Sequence, residues 1–457
     1  MGLHLFSVRI SPAYRDRQHH TAKETDFGGH VHASSKKNTT WENILRSMNE
    51  AFLCLGNRIK MVENLSKLWR SPLRNHALPC LSVRSGLDLF LRVKHFPEGS
   101  QIIMTALNIP DMVRVVKHHG MIVIPLDIKI DDMAPKIDHL ELLITDKTVA
   151  IIVAHIYGKW IDMNPIIEVA QRYNLSVLED CAESFCGLEK LGDPRSDLVM
   201  FSFGTIKFCT AFGGAVLNIR DIDLYRKMNK LHETYPCQKQ TDYFTKILKM
   251  MMVLLLLNSP KIVKPAMFFT RTFNIDHKKR VIELIRGFPD NLIHRLRQKP
   301  STALLAVMWN HLRKFNAVEF GLMKSKCDYV AARLPDTITL VGSEAVLKNY
   351  WLFPILVESP NEFLENLFAM GIDAYRGATQ LNVVEPNIEK SGAEVNYLKL
   401  HYPYEAKYLI DHVIYLPVNK FVPFYYLDQI CKCVALACYK NVHSRRTVLT
   451  IKPKSKL

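Results

Sequence analysis

Short runs of apolar residues alternate with amphipathic stretches along the middle of the chain. The apolar runs predict buried strands at 101–104, 121–126, 149–154, 176–178 and 198–203. The stretches between them have helical spacing, at 112–119, 137–144 and 164–173. Alternation of this kind predicts an α/β fold, in which a mostly parallel sheet is wrapped by helices and ligands bind at the carboxyl ends of the strands.

The pattern changes outside this region and divides the chain into segments. We predict a loose basic N-terminal extension at 1–40, a helical lead-in at 41–80 and a large α/β domain at 81–235. A candidate helix at 221–231 closes that domain, and a helical connection follows at 236–335, with candidate helices at 243–257 and 302–334. Mixed strand and helix patterns then predict a smaller C-terminal α+β domain at 336–450, and 451–457 form an exposed tail.

The most apolar run, 247–257, carries lysines on both sides. It is shorter than the roughly 20 residues needed to cross a bilayer, so a transmembrane helix is excluded there. A buried helix or a subunit contact is one interpretation. A helix lying in a membrane interface is the other.

Composition narrows the class of protein. The 457 residues are 48% hydrophobic and 23% charged, which excludes a largely disordered chain. The net charge of +16 suits anionic partners such as phosphorylated substrates, nucleic acid or an acidic membrane surface. The ten cysteines form no CxxC pair, so we expect no metal site and a reducing compartment.

The last three residues, Ser455-Lys456-Leu457, have the form of a peroxisomal import address. We therefore expect a peroxisomal location and an import receptor as a partner. The alternative is a cytoplasmic protein.

Two clusters of chemical interest fall at predicted element boundaries. Ser85 and Gly86 form a turn that opens a helix, where free amides bind phosphate well, although any helix can begin with such a cap. Asp180 follows the strand 176–178, and Glu183 lies three positions on. A carboxylate at a strand end suits a charged ring nitrogen such as that of a pyridinium, while a helix N-cap is the plainer interpretation.

The third cluster is a loop with a single lysine, Lys207, among apolar and glycine residues. Desolvation lowers the pKa of an amine toward the nucleophilic range, which prepares a lysine for Schiff-base chemistry. A surface lysine that extends its amine to water is the ordinary alternative.

Together these clusters resemble the fold type I pyridoxal-phosphate enzymes, and among them the DegT-type sugar aminotransferases, from about residue 83 to residue 439. The resemblance implies that Lys207 forms the Schiff base, that Asp180 lies under the pyridine nitrogen, and that Ser202 belongs to the Ser-Phe segment before the lysine. It further implies cofactor-binding roles for a phosphate turn and for a His-Leu-Tyr-Gly-like segment. The turn is Ser85-Gly86-Leu87, and the segment begins at His155.

Three positions depart from the family pattern. Ile109 stands where the family usually stacks an aromatic ring on the cofactor, and Leu87 replaces a threonine hydroxyl. Glu183 replaces a glutamine near the phenolic oxygen of the cofactor, which adds an anion where a neutral donor is expected.

The function implied is an aminotransferase that uses pyridoxal 5′-phosphate, takes an amino group from a donor such as glutamate, and delivers it to a keto group, for example on a nucleotide-linked sugar. A homodimer is expected, with the segment Arg297-Gln298-Lys299-Pro300-Ser301 as a candidate to reach the phosphate of the neighbouring subunit. A helix start with Pro before a Ser cap is the plainer interpretation of this segment. Two alternatives stay open. One is a cofactor-binding regulatory or structural protein without turnover, and the other is a basic protein that binds a membrane surface or nucleic acid, although we expect no nucleic-acid partner.

Overall fold

The computed structural model describes residues 57–70, 76–258, 291–377, 380–386 and 402–450. The predicted extension at 1–40, the first part of the lead-in and the C-terminal Ser455-Lys456-Leu457 lie outside these ranges, so their interpretations stay predictions. Side chains are described up to residue 252 in the helix that ends at Asn258, and up to residue 439 in the helix that ends at Thr450.

A seven-stranded sheet forms the centre of the larger part of the molecule. Its order is β1-β9-β8-β7-β5-β2-β4. The strands are β1 (Ala77–Cys80), β2 (Gln101–Thr105), β4 (Ile122–Leu126), β5 (Thr148–Ala154), β7 (Ser176–Asp180), β8 (Leu198–Ser202) and β9 (Ala215–Ile219). Neighbouring strands from β4 to β8 are parallel, and β9 runs antiparallel to both β8 and β1. The prediction of a mostly parallel sheet is therefore confirmed.

Helices cover both faces of this sheet, as the alternation of apolar and amphipathic stretches predicts. The first group is α1 (Arg58–Leu68), α2 (Val83–Lys94), α3 (Pro110–His118), α4 (Ile137–Leu143), α5 (Asn164–Arg172), α6 (Ile222–Glu233) and α7 (Gln240–Asn258). Successive strand residues point to opposite faces: Ile102 packs in the cluster with α2, α3 and α6, whereas Ile103 packs in the cluster with α4 and α5. The sheet is therefore buried on both sides.

The second, smaller part is built on a three-stranded antiparallel sheet, in the order β10-β12-β14. Its strands are β10 (Thr339–Leu340), β12 (Pro354–Leu356) and β14 (Val413–Tyr415). The remaining helices are α8 (Leu292–Leu296), α9 (Thr302–Arg313), α10 (Ala317–Ala331), α11 (Pro360–Ala369), α12 (Tyr404–His412) and α13 (Phe424–Thr450). Two short antiparallel pairs join the parts: β6 (Lys159–Trp160) with β11 (Leu347–Lys348), and β3 (Leu107–Asn108) with β13 (Asn382–Val383).

The structure differs from the sequence prediction at several boundaries. The central sheet begins at Ala77, inside the segment we predicted as a helical lead-in, because β1 pairs with β9. The single helix predicted at 302–334 is two helices, since the Asn316 side chain accepts from the Val318 amide and begins a new helix.

The apolar run at 247–257 lies in α7, and one face of that helix is buried. Tyr243, Ile247 and Met250 pack with α1 and α9, while Leu248 and Met252 are exposed. This supports a partly buried helix over the side chains that are described. None of the described helices has the length and apolarity that crossing a membrane would require.

A buried carboxylate, Asp88, joins α2 to the end of α3 and to the segment after α8. His119 Nε2 lies 3.0 Å from Asp88 Oδ1, and Arg297 donates to both carboxylate oxygens at 3.0 Å. The guanidinium group that we expected to reach a neighbouring subunit is therefore engaged within its own chain. Burial alone would raise the pKa of Asp88, but the hydrogen bonds from His119 and Arg297 hold it below its ordinary value.

We predict that Asp88→Asn lowers the free energy of unfolding by about 2 kcal/mol, because it leaves the partly exposed Arg297 against an uncharged partner. The loss should be present at neutral pH and disappear in acid. A carboxyl with a lowered folded-state pKa stabilises the fold above its unfolded value of about 4, and this stabilisation is lost as the pH falls. Urea unfolding at pH 7 and pH 3 measures both quantities. Asp223→Asn removes an exposed carboxylate paired with Arg226 and should cost less than about 1 kcal/mol; equal losses in the two variants would contradict the prediction.

Candidate active site

Three parallel strands bring the predicted site residues to one edge of the sheet. β5 ends at Ala154 and is followed by His155, β7 ends at Asp180, and β8 ends at Ser202. The His155 amide donates to the Asp180 carbonyl at 3.0 Å, so the ends of β5 and β7 are fixed side by side. The carboxyl ends of neighbouring parallel strands meet at the same edge, which is where ligands bind in sheets of this kind.

Lys207 lies in the loop between β8 and β9. The loop folds back because the Phe203 carbonyl accepts from the amides of Ala211 at 2.8 Å and Gly213 at 3.1 Å. The Lys207 amine lies 3.8 Å from Glu183 Oε1, and its side chain is 15% exposed. The lysine therefore lies beside the acidic segment that follows β7.

Asp180 is nearly buried at the end of β7. Its Oδ1 accepts from the Ala182 amide at 3.0 Å. Burial raises the pKa of Asp180 above its ordinary value, while the Ala182 hydrogen bond and the positive charge of Lys207 act in the opposite direction. Because Asp180 is buried, a cation placed next to it strongly stabilises its ionised form.

His155 lies underneath the site, fully buried. Its Nδ1 accepts from the Ile161 amide at 3.2 Å, so the proton is on Nε2, which lies 2.9 Å from Glu179 Oε2. With Cys181, these side chains form a buried group whose ligand atoms lie within 4.8 Å of one another. Both ring nitrogens of His155 have hydrogen-bond partners, and Glu179 Oε1 also accepts from the backbone amide of Asp193. These contacts favour a structural role for the group, beneath the site, over metal binding.

Glu183 is fixed by the turn that follows β5. Its Oε2 accepts from the Tyr157 amide at 3.0 Å. Tyr157 has a φ of 58°, and Gly158, with a φ of 81°, comes so close to the next segment that a Cβ there would lie 2.0 Å from the Asn349 carbonyl oxygen. Only glycine fits this position, and the turn it permits aims the Tyr157 amide at the carboxylate.

The predicted phosphate turn differs from our expectation. The helix α2 already begins at Val83, with Ser82 as its N-cap, so Ser85 and Gly86 lie within its first turn. The Ser85 amide donates to Ser82 Oγ, and a Cβ on Gly86 would lie 2.4 Å from the Leu217 side chain. Gly86 therefore serves the packing of α2 against β9.

Leu87 is the fifth residue of α2 and is completely buried in the core. Its amide lies beyond the four that a helix leaves unpaired at its start. The helix begins earlier than the Ser-Gly pair suggested, so the Leu87 amide lies inside the helix and not at its open end. A cofactor-binding role for Leu87 stays a prediction.

The other two predicted residues lie at the edges of the site. The Ser202 hydroxyl accepts from the Gly204 amide at 3.3 Å, in the loop that carries Lys207. Ile109 precedes α3 and lines a cavity of about 420 Å³ together with Asp111, Arg376 and Tyr415. Tyr415 in the cavity wall has its hydroxyl 3.0 Å from that of Tyr157, the residue whose amide donates to Glu183.

Several residues of the site were missed by the sequence analysis. The Lys207 amine lies 4.4 Å from the ring centroid of Trp351, a residue of the smaller part. Arg84, in the first turn of α2, pairs with Asp111 at 2.6 Å, and a Cβ built on Gly213 would lie 3.7 Å from the amine of Lys246. Arg84 directly precedes Ser85, so its charge at a helix start was a usable signal; Trp351 and Lys246 are distant in sequence and gave none.

Comparison with known proteins agrees with the family resemblance found in the sequence. Residues 35–253 match the sequence model of the DegT/DnrJ/EryC1/StrS aminotransferase family. GDP-perosamine synthase of Caulobacter vibrioides is 34% identical over 160 residues, which are 34% of this chain and 43% of that protein. GDP-perosamine synthase of Escherichia coli O157:H7 is 32% identical over 176 residues, or 37% and 47% of the two chains. The matched segments thus span less than half the length of either relative.

Solved structures extend the likeness of the fold to most of the chain. The aminotransferase TlmJ from Streptoalloteichus hindustanus superposes with a TM-score of 0.61 at 13% identity, over 87% of this chain and 96% of that one. NtdA from Bacillus subtilis, solved with bound cofactor PMP, gives a TM-score of 0.60 at 18% identity, over 88% and 82% of the two chains. The architecture is therefore that of the fold type I enzymes we expected. Residues 35–253, just under half of this chain, are thus similar to the DegT/DnrJ/EryC1/StrS aminotransferase family.

Proposed function

We propose that this protein is a pyridoxal-phosphate-dependent aminotransferase that moves an amino group from an amino acid such as glutamate to the keto group of a nucleotide-linked sugar. The observation that carries this proposal is the convergence of Lys207, Asp180 and Glu183 where β7 and β8 end. The match of residues 35–253 to the family model and the fold shared with TlmJ and NtdA support it.

The donor set fits pyridoxal phosphate. An amine, a buried carboxylate and a hydroxyl lie within one loop and two strand ends, and they complement the aldehyde, the ring nitrogen and the phosphate of that cofactor. Lys207 would bind the aldehyde carbon, Asp180 the ring nitrogen, and Ser202 the phosphate. When bound, the cofactor supplies a ring that withdraws electrons from the reacting carbon.

The residues of this chain would supply the proton transfers. Released from the cofactor, the Lys207 amine takes the proton from the α-carbon of the amino donor, and in the second half of the reaction it returns a proton to the former keto carbon of the acceptor. Asp180 keeps a negative charge beside the ring nitrogen. Its burial excludes water, which strengthens that charge interaction. The balance is simple: glutamate leaves as 2-oxoglutarate, and the acceptor exchanges its keto oxygen for an amino group.

The cavity beside Ile109 is the acceptor site in this proposal. Its volume of about 420 Å³ lies in the range of small-molecule sites. Arg376 lines it, and Asp111 in its wall is shared between Arg84 and Arg114. Three guanidinium groups against one carboxylate favour an anionic acceptor, as a nucleotide-linked sugar is.

A second candidate is a protein that binds the cofactor without turnover. Ile109 offers the cofactor no aromatic ring, and Leu87, which is buried in the core, has no hydroxyl for the phosphate. Addition of glutamate separates the two functions. An aminotransferase changes its visible absorbance and releases 2-oxoglutarate, whereas a silent binding protein does neither.

We also propose that two copies of the chain form a homodimer, because enzymes of this fold build their sites at a dimer interface. The expected mass in solution is twice 52.6 kDa. Light scattering after size-exclusion chromatography measures it, and a monomer with full activity would remove this part of the proposal.

We predict that Lys207→Ala abolishes the visible absorbance band formed with pyridoxal phosphate, because no amine is left to bind the aldehyde. Borohydride should attach the cofactor to the peptide containing Lys207 in the unmodified protein and not in the variant. Lys190→Ala is the matched control, since Lys190 also lies over an indole ring, that of Trp160, but on another loop. Equal trapping in Lys207→Ala would overturn the proposed function.

We predict that Asp180→Asn keeps the cofactor bound but lowers the rate of amino transfer at least a hundredfold, because the ring nitrogen loses its anionic partner. The raised pKa of Asp180 also predicts a loss of activity in acid at a higher pH than an ordinary aspartate would give. Stopped-flow measurement with glutamate from pH 5 to pH 8 tests both points. Asp138→Asn changes an exposed carboxylate and should leave rate and pH profile unchanged; a similar profile in Asp180→Asn would contradict the assignment.

A further inference from the structure

Glu183 stands where the family pattern has a neutral glutamine, and the structure shows what its charge contacts. Oε1 lies 3.8 Å from the Lys207 amine, and Oε2 accepts from the Tyr157 amide at 3.0 Å. The Glu183 side chain is 8% exposed. Salt and water therefore screen this ion pair much less than a surface pair.

The lysine has a second partner that favours its charged form. Trp351 lies with its ring centroid 4.4 Å from the Lys207 amine, and its indole N–H donates to the Ile206 carbonyl at 3.1 Å. That hydrogen bond ties the ring to the residue before the lysine. A carboxylate and the face of an indole each stabilise an ammonium over a neutral amine.

We propose that Glu183 is a positioning residue that, with Trp351, holds Lys207 as an ammonium in the cofactor-free protein. An ammonium has no lone pair for attack on a carbonyl carbon, so the Lys207–Glu183 pair must release one proton before Lys207 can react with any aldehyde. Capture of an aldehyde thus becomes dependent on pH, and Glu183 sets the pH range. The consequence for catalysis rests on the function proposed above, whereas the protonation of Lys207 does not.

A glutamine at this position would preserve the contacts of Glu183 and lack only its charge. Its amide oxygen can accept from the Tyr157 amide in the same way. The other charged or titratable groups around Lys207 stay in place in such a variant. They include Asp180, whose pKa is raised by burial and lowered by the charges of Lys207, His155 and Arg84, and Tyr157, whose pKa is raised by burial and by the charge of Glu183.

Trace labelling of the cofactor-free protein with acetic anhydride tests the inference, because only neutral amines react. The acetylated fraction of Lys207 is measured by mass spectrometry from pH 6 to pH 11, with the exposed Lys117 as the reference within each sample. In Glu183→Gln, Lys207 should react several-fold faster than in the unmodified protein at pH 7. The two rates should meet at the alkaline end, where both amines are neutral.

Two further variants complete the experiment. Glu189→Gln removes an exposed carboxylate from the same loop and should leave the Lys207 profile unchanged. Glu183→Asp keeps the charge but withdraws it by one methylene, so its rate at pH 7 should lie between the other two, and it serves if Glu183→Gln does not fold. Identical pH profiles for the unmodified protein and the Glu183 variants would overturn the inference. So would a faster reaction at every pH, since that indicates better access of the reagent. Failure to bind pyridoxal phosphate would overturn only the proposed function.

Discussion

The site depends on the placement of one ammonium group between a carboxylate and an indole ring. Lys207 lies 3.8 Å from Glu183 and 4.4 Å from the ring centroid of Trp351, in a loop with little access to water. A lone charge in such surroundings would be costly, so the loop can hold a lysine only where partners compensate it. Glu183 comes from the end of β7 and Trp351 from the smaller part of the molecule. The functional loop therefore takes its geometry from both parts of the fold.

The sheet supplies the rigid side of this arrangement. β5, β7 and β8 are parallel and end together, and buried His155 fixes the ends of the first two through its amide and its ring. The turn after β5 contains Tyr157 in a left-handed conformation, followed by a glycine that no other residue could replace. This strained turn is maintained because it serves two contacts: the Tyr157 amide binds Glu183, and its hydroxyl meets Tyr415. The left-handed backbone at Tyr157 thus serves to orient the Glu183 carboxylate.

Sequence reasoning succeeded where chemistry is local and failed where it depends on distant contacts. The strand pattern predicted five strands of the central sheet, and the residues after those strands included Asp180 and Lys207. The sequence pattern could not identify Trp351 as a neighbour of Lys207. Trp351 is far away in the chain, and its hydrogen bond to the Ile206 carbonyl joins residues 145 positions apart. The sequence pattern misjudged the Ser-Gly pair because the hydroxyl of Ser82, three residues before Ser85, caps the helix, so Leu87 lies in the core. Arg297 appeared available in sequence, yet it is held by Asp88.

The departures from the family pattern are physically connected. The family resemblance led us to expect an aromatic ring at position 109 and a threonine hydroxyl at position 87, and this chain has Ile109 and Leu87 instead. At position 183, where a neutral glutamine is expected, Glu183 adds a negative charge. Attraction between charges falls off slowly with distance, whereas stacking and hydrogen bonds require close fit. A site that gains charge as it loses stacking tolerates less exact placement of its ligand, but its affinity for the ligand becomes sensitive to pH. Arg84 and Arg114, which pair with Asp111 in the cavity wall, add further charges near the cavity. In the proposed function, binding of the cofactor and binding of the acceptor would therefore both depend on charge interactions.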